Sequence, residues 1–161
     1  MKEHEVISQN KLFLLVVLLL IGPILTLGQN VVWKSIRPIQ MNRNDVVQAL
    51  GQCVENTPDR CLYSLESENV IVYYSTTICS VRQNPYIPFG TVLRLDVHFK
   101  QPHLLSEFIS DSNAFKAEKD PELVGIVHYK NPKVGIFLDV EDGKVVSLYR
   151  TVPTGDELKC R

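Results

Sequence analysis

The sequence predicts an α+β domain, in which one antiparallel sheet of about five to six strands carries two short helices packed on a single face. Apolar runs on both sides of Glu66–Glu68 predict a hairpin, and strict alternation over Thr91–Lys100 predicts a half-buried strand. Helical spacing of apolar residues occurs near Val46 and again after Pro102. Strands with period-two patterns and only two short helical segments favour an antiparallel sheet.

The N-terminal apolar run predicts where the chain folds. Leu12–Leu27 contains sixteen residues without a charge, lies after Lys11 and ends at the small residue Gly28. This layout predicts a signal peptide over residues 1–28 and a single domain over 29–161. An uncleaved N-terminal membrane anchor is the alternative, in which residues 12–27 would be the membrane contact. We therefore expect an exported protein, either periplasmic or secreted, or else anchored by this segment.

The charge balance excludes one class of partner. The chain has 17 Lys and Arg against 18 Asp and Glu, and residues 1–28 contain two of each sign. The remaining 15 basic and 16 acidic residues form no basic stripe, so we expect no nucleic-acid partner.

The first helix has a marked start and end. An extended lead, residues 31–40, carries Trp33, which we expect to anchor this segment to the domain. Asn42 is then in N-cap position and Asp45 follows three residues later, as in a capping box. Gly51 follows the last apolar residue, where a C′ glycine is favoured. The predicted helix is 43–50.

Strand patterns follow that helix. Cys61–Leu65 and Asn69–Thr76 form the predicted hairpin, and the second segment is apolar on both faces, so we expect it at the centre of the sheet. Ser80–Gly90 contains two prolines and predicts a loop. Loops of this length often carry function.

The C-terminal half predicts a short helix and a meander. Pro102 opens a helix in which Leu104, Leu105, Phe108 and Ile109 share one face. Residues 123–129 read as a strand, and residues 134–141 and 144–151 form a hairpin closed by the Asp142-Gly143 pair of a type I′ turn.

Short motifs across most of the chain after residue 28 match the sequence pattern of a known protein family. They are Trp33, Ile36-Arg-Pro38, Asn42-Arg-Asn-Asp-Val46, Leu50-Gly51, Tyr63, Glu68–Ser75, Cys79, Gly90–Leu93, Tyr129-x-Asn131, Gly135-Ile136 and Asp156–Cys160. The pattern resembles a family of small exported bacterial proteins of unknown function. Met41-Asn42 stands where that family has Ser-Thr, which keeps a capping residue. The resemblance implies export and this architecture, and it implies no activity.

A looser likeness is to the BamE/SmpA-like outer-membrane assembly lipoproteins. They share an Arg-x-Asp/Glu-Val…Leu-Gly helix followed by antiparallel strands. In this sequence Arg43, Asp45 and Leu50-Gly51 carry that likeness. It implies a binding module more than an enzyme.

No catalytic, cofactor or metal site is predicted. Asp96 and His98 share a strand face with Arg94 and could form an acid–base pair, but a solvated strand face explains them better. His98 and His103 lack a zinc spacing, and the cysteines lack a Cys-x-x-Cys motif. We expect no cofactor and no enzyme activity; a hydrolase using Asp96 and His98 is the least favoured of three functional hypotheses.

Aromatic residues give the candidate binding loop. Tyr73, Tyr74, Tyr86 and Phe89 could line a groove beside the loop over 80–90, or the tyrosines could pack on the sheet. We take Tyr86 and Phe89 as candidate binding residues. The favoured function is therefore a non-catalytic domain that binds an unidentified protein in the bacterial envelope or outside the cell. The alternative is a small-ligand-binding or inhibitor-like module that uses the 80–90 loop.

The four cysteines predict two disulfides in an oxidising compartment. If Tyr63 lies opposite Val72, the hairpin register brings Cys53 near Cys79 and leaves Cys61 to bond Cys160. The competing pattern, Cys53–Cys61 with Cys79–Cys160, stays open at this point.

Overall fold

A computed structural model describes residues 29–81, 84–153 and 159–160. The chain divides into two compact units, Met1–Val32 and Trp33–Arg161. The predicted signal peptide or anchor, residues 1–28, lies outside the described residues. Among the described residues, no helix is both long enough and apolar enough to cross a membrane.

The described part of the chain contains eleven strands and one α-helix, α1 (Arg43–Leu50). Short 3-10 helices lie at Gln29–Ser35, Leu105–Glu107 and Ser112–Ala114. The strands are β1 (Glu55–Asn56), β2 (Arg60–Ser64), β3 (Glu68–Tyr74), β4 (Cys79–Val81), β5 (Asn84–Ile87), β6 (Val92–Leu104), β7 (Lys116–Lys119), β8 (Ile126–Asn131), β9 (Ile136–Glu141), β10 (Lys144–Thr151) and β11 (Lys159–Cys160).

The strands form two antiparallel sheets. Eight of them follow the order β1-β2-β3-β6-β10-β9-β8-β7, and three form a small sheet in the order β11-β4-β5. Strand β6 is the longest, and it pairs with β3 on one side and β10 on the other. The predicted sheet of five to six strands with two helices is therefore wrong: the protein is mainly β.

The second predicted helix is absent because β6 continues through Pro102. Leu104 pairs with Lys144 and His103 with Val145, so this segment is held as a strand by β10. Only the 3-10 turn Leu105–Glu107 follows it. The helical spacing of apolar residues was too short to outweigh cross-strand pairing.

The predicted loop over 80–90 and a polar segment also became strands. β4 and β5 form a hairpin, in which Pro85 is tolerated because β5 is an edge strand. β7 has the sequence Lys-Ala-Glu-Lys, which has no apolar alternation, and it pairs with β8 at the other edge of the large sheet. Charged side chains on an edge strand oppose pairing with other chains.

Two local predictions are confirmed in detail. Asn42 caps α1 by accepting hydrogen bonds from the backbone N–H groups of Asn44 and Asp45, and the Asp45 side chain completes the capping box. Asp142 and Gly143 both have positive φ, 48° and 79°, as a type I′ turn requires.

One face of the large sheet forms the core. Its inward residues include Val70, Val72, Leu95, Val97 and Leu138, which are all fully buried. Trp33, Ile36 and Val46 belong to the same cluster of buried side chains. Trp33 is 2% exposed and contacts the Phe99 ring, so it anchors the N-terminal segment as predicted. The predicted extended conformation of that segment is wrong at Trp33, which lies in the 3-10 helix Gln29–Ser35.

Arg43 connects α1 to the β1–β2 turn and to β3. Its guanidinium lies 4.1 Å from the centre of the Tyr74 ring. Its Nη2 atom donates to the carbonyl oxygens of Thr57 and Pro58, each at 2.8 Å, and Nη1 donates to Asn56 Oδ1. One arginine therefore holds the helix start, the turn and the central strand together.

We expect Arg43→Ala to lower the free energy of unfolding by about 2 kcal/mol, because it removes a cation–π contact and the hydrogen bonds to Asn56, Thr57 and Pro58. Arg60→Ala is the matched control. Arg60 is exposed on β2, and that substitution should change stability by about 0.5 kcal/mol or less. Chemical denaturation measures both, and equal losses would contradict this role of Arg43.

The hairpin register decides the disulfides. Tyr63 lies opposite Val70, not Val72, because the turn closes tightly with a hydrogen bond from Leu65 N–H to the Glu68 carbonyl. β1, which precedes β2 in the chain, pairs with it so that Asn56 lies opposite Cys61. This pairing places Cys53 close enough to bond Cys61. The favoured pairs Cys53–Cys79 and Cys61–Cys160 were wrong.

Cys79 bonds Cys160 instead, and these two residues face each other across the β4–β11 pair. The observed pattern is the competing one. Both disulfides fit an oxidising compartment.

The two disulfides should contribute unequally to stability. They join residues that are 8 and 81 positions apart. In the chain-entropy treatment the longer loop contributes about 4.5 kcal/mol and the shorter about 2.6 kcal/mol. We expect Cys79→Ala/Cys160→Ala to lower the denaturation midpoint more than Cys53→Ala/Cys61→Ala, as urea unfolding would measure. A larger loss from the second double variant would contradict the assignment.

Candidate functional site

The face of the large sheet opposite the core is the open face. It is formed by the outward residues of β2, β3, β6, β10, β9, β8 and β7. Most of these side chains are half-buried or exposed, whereas Asp96 and Ser147 are buried between larger neighbours. The open face carries most of the charged and polar side chains of the sheet, whereas the core face is almost entirely apolar.

Four side chains from neighbouring strands form the Arg94 stack on this face: Tyr73, Arg94, Tyr149 and Phe137. The Arg94 guanidinium carbon lies 5.6 Å from the centre of the Tyr73 ring and 4.7 Å from that of Tyr149. The Tyr149 ring is stacked on Phe137 with centroids 4.5 Å apart and planes 5° from parallel. The stack therefore runs across β3, β6, β10 and β9.

Asp96 orients Arg94 within the stack. Arg94 Nε donates to Asp96 Oδ1 at 2.5 Å, and this hydrogen bond is the main reason why the pKa of Arg94 is raised. Asp96 is 7% exposed. The ion pair thus provides a buried carboxylate with its counter-charge and holds the guanidinium in place.

The structure separates the predicted acid–base pair. Asp96 bonds to Arg94, while His98 is exposed. Among the described residues, no hydrogen bond or ion pair joins Asp96 to His98. The two side chains share a face as predicted, but they form no acid–base unit.

A second polar network lies farther along the open face, and the sequence did not predict it. His128 Nδ1 lies 2.7 Å from Asp139 Oδ1, and Nε2 lies 2.8 Å from Asp120 Oδ2. Ser147 Oγ donates to the other oxygen of Asp139 at 2.5 Å. The only sequence signal was the β8–β9 hairpin, whose register places His128 opposite Asp139.

This network lacks the arrangement of a catalytic triad. A triad histidine accepts a proton from the nucleophile, whereas Ser147 is bonded to Asp139 and both nitrogens of His128 face carboxylates. Hydrogen bonds to Asp120 and Asp139 raise the pKa of His128. Such a doubly bonded imidazolium is a structural clamp.

The clamp joins the sheet to the β7–β8 turn. Asp120 Oδ1 also accepts hydrogen bonds from the backbone N–H groups of Glu122 and Leu123. The bond to His128 is the largest of several contributions that lower the pKa of Asp120. Protonated His128 therefore stabilises the turn that carries exposed Leu123 and Val124.

The predicted aromatic cluster divides among three places. Tyr73 lies in the Arg94 stack, while Tyr74 is buried in the core beneath Arg43. Tyr86 and Phe89 are 60% and 65% exposed on and after β5. Tyr73 and Tyr74 point to opposite faces of the sheet because they are neighbours on β3, so the four aromatic residues do not line one groove.

Tyr86 and Phe89 belong to an apolar surface that we call the small-sheet patch, with Ile78 as its third member. Ile78 and Tyr86 flank the paired residues Cys79 and Ile87, which are buried, so both point outward. Ile78 is 52% exposed.

A scan against protein-family models, a search of curated proteins and a search of solved structures each found no match to this chain. Within residues 29–81, 84–153 and 159–160, no three His, Cys, Asp or Glu side chains are grouped so that they could hold a metal ion.

The clamp makes stability depend on pH. The pKa of His128 is raised in the folded state, so its hydrogen bonds contribute to the free energy of unfolding. This contribution is complete below the pKa of the unfolded histidine, about 6.5, and is lost as pH rises through the pKa of the folded state. The Asp120 pKa is lowered, so its contribution is present above the unfolded value of about 3.9 and is lost as pH falls through the folded pKa.

We therefore expect His128→Gln to cost most stability between about pH 4 and 6.5, and less at pH 9. Thermal unfolding of both proteins across this range measures the difference. His98→Gln, which alters an exposed histidine on the same face, is the control. A pH-independent loss in His128→Gln would contradict the clamp.

Proposed function

We propose that the protein is an exported, non-catalytic domain that binds a protein partner in the bacterial envelope or outside the cell. Two disulfides support an oxidising location. The resemblance to small exported bacterial proteins and the apolar run over residues 12–27 support export by a signal peptide. An N-terminal anchor that keeps this segment is the alternative.

The small-sheet patch is the observation that carries this proposal. Exposed large apolar side chains on one small sheet are typical of interaction surfaces, and aromatic residues often provide most of the binding energy. Here Ile78, Tyr86 and Phe89 provide such a surface. The looser likeness to BamE/SmpA-like proteins also favours a binding role.

A disulfide and a small cluster of buried side chains hold together the strands beneath the patch. Cys79 is bonded to Cys160, and Val81 and Ile87 pack with Cys79 in a small core of their own. A surface that is ordered before binding loses less conformational entropy when a partner docks. This supports recognition by a preformed surface.

The acid–base groups of the open face favour binding over catalysis. His128 is bonded at both nitrogens, and Asp96 is occupied by Arg94. A general base needs a free acceptor directed at its substrate. The two strongest acid–base candidates therefore serve structural roles.

We expect Phe89→Ser to reduce crosslinked capture of the partner from the native envelope by about tenfold or more, because it removes an aromatic anchor. Val134→Ser is the matched control, since Val134 is 51% exposed on the β8–β9 turn. Circular dichroism checks that both variants fold.

Equal capture by the two variants would contradict the proposal. A small molecule that purifies with the wild-type protein and is lost in Phe89→Ser would instead support the ligand-binding alternative at the same hairpin.

A further inference from the structure

Arg94 has donors that the fold does not use. A guanidinium has five N–H donors. Arg94 uses one of them, the Nε–H group, to donate a hydrogen bond to Asp96. Within the described part of the chain, its Nη1 and Nη2 atoms donate to no acceptor. The side chain is 47% exposed, so these atoms are accessible from the open face.

The position of this guanidinium is set before any ligand arrives. Tyr73 and Tyr149 flank it, Phe137 supports Tyr149, and Asp96 holds Nε. An arginine on a free surface must lose side-chain entropy to bind, whereas Arg94 is already confined. Its planar fork matches a carboxylate, to which it can donate two parallel hydrogen bonds.

The paired charges around Arg94 leave two groups for an anion: the Nη atoms of Arg94 and the side chain of Arg60. The nearest carboxylates on the open face already have cationic partners: Asp96 has Arg94, and Asp139 has His128. Arg60 lies directly across from Tyr73 and is exposed, with no side-chain hydrogen bond or ion pair in the described residues. Asp59 is the acid next to Arg60, and the Arg60 charge is one of the smaller contributions that lower its pKa. An incoming anion therefore meets the unused Nη donors of Arg94 and the exposed guanidinium of Arg60.

We propose that Arg94 is a carboxylate-binding site, assisted by Arg60, that receives an acidic side chain of the protein partner. The proposal rests on the proposed function only in taking the partner to be a protein. The occupant is an Asp or Glu side chain in a segment lying across β2, β3 and β6. Arg94 provides the bidentate contact, and Arg60 adds a second positive charge on the other side of Tyr73.

The test is a titration followed by NMR, which uses the side-chain Nε–Hε signals of arginine as reporters. The probes are a capped Glu-Glu-Glu peptide, the same peptide with Gln in place of Glu, and inorganic phosphate. We expect the Glu peptide to shift the Arg94 signal saturably and the Gln peptide to leave it unchanged. Phosphate should bind more weakly than the Glu peptide.

Arg94→Lys is the decisive variant, because it keeps a charge for Asp96 but loses the planar fork. We expect it to weaken binding of the Glu peptide by about tenfold or more, and Arg60→Gln to weaken it by about threefold. Lys133→Gln, which alters an exposed lysine on the β8–β9 turn, should leave binding unchanged. If Arg94→Lys fails to fold, Arg94→Gln/Asp96→Asn removes both charges together.

Equal affinity of wild type and Arg94→Lys, equal affinity for the Glu and Gln peptides, or no saturable shift of Arg94 would each overturn the site. Phosphate binding as tightly as the Glu peptide would overturn its assignment to acidic side chains. The experiments distinguish failure of the Arg94 site from failure of the proposed protein-binding function. Partner capture that depends on Phe89 but not on Arg94 rejects this site alone, whereas Arg94-dependent peptide binding without any captured protein rejects the proposed function.

Discussion

The alternation of side chains along β6 governs both the stability of this protein and its surface chemistry. Leu95 and Val97 point into the core, while Arg94 and Asp96 lie on the opposite face. Because β6 pairs with both β3 and β10, the same division extends to the neighbouring strands. One short α-helix and the segment that carries Trp33 and Ile36 pack against this inner face. The outer face keeps the polar and aromatic residues.

Two arginines that rest on tyrosine rings show how similar contacts serve different roles. Arg43 stacks on Tyr74 and directs its Nη atoms to the β1–β2 turn, so its donors are used within the fold. Arg94 lies between Tyr73 and Tyr149, and within the described residues its Nη atoms donate to no acceptor. The first arrangement stabilises the fold, and the second presents a confined cation to a ligand.

The polar groups of the open face are bonded mainly to one another. The His128 clamp holds the β7–β8 turn, and the Arg94 stack bridges four strands. Paired charges of both signs therefore lie across this face. Together with the small-sheet patch, they give the domain two chemically distinct surfaces, one polar and one apolar.

The sequence by itself determined the elements whose signals are local. The capped helix at Arg43–Leu50, the first hairpin, the alternating strand β6 and the Asp142-Gly143 turn follow from backbone preferences of adjacent residues. The sequence also predicted Tyr86 and Phe89 as binding residues, which stays a prediction; both side chains are exposed. Only the tertiary structure decided the hairpin register, the pairing of short polar strands such as β7, the disulfide pattern and the bond between His128 and Asp120. These features depend on hydrogen-bond partners distant in sequence, because a two-residue shift of register conserves every apolar and polar position while changing every neighbour.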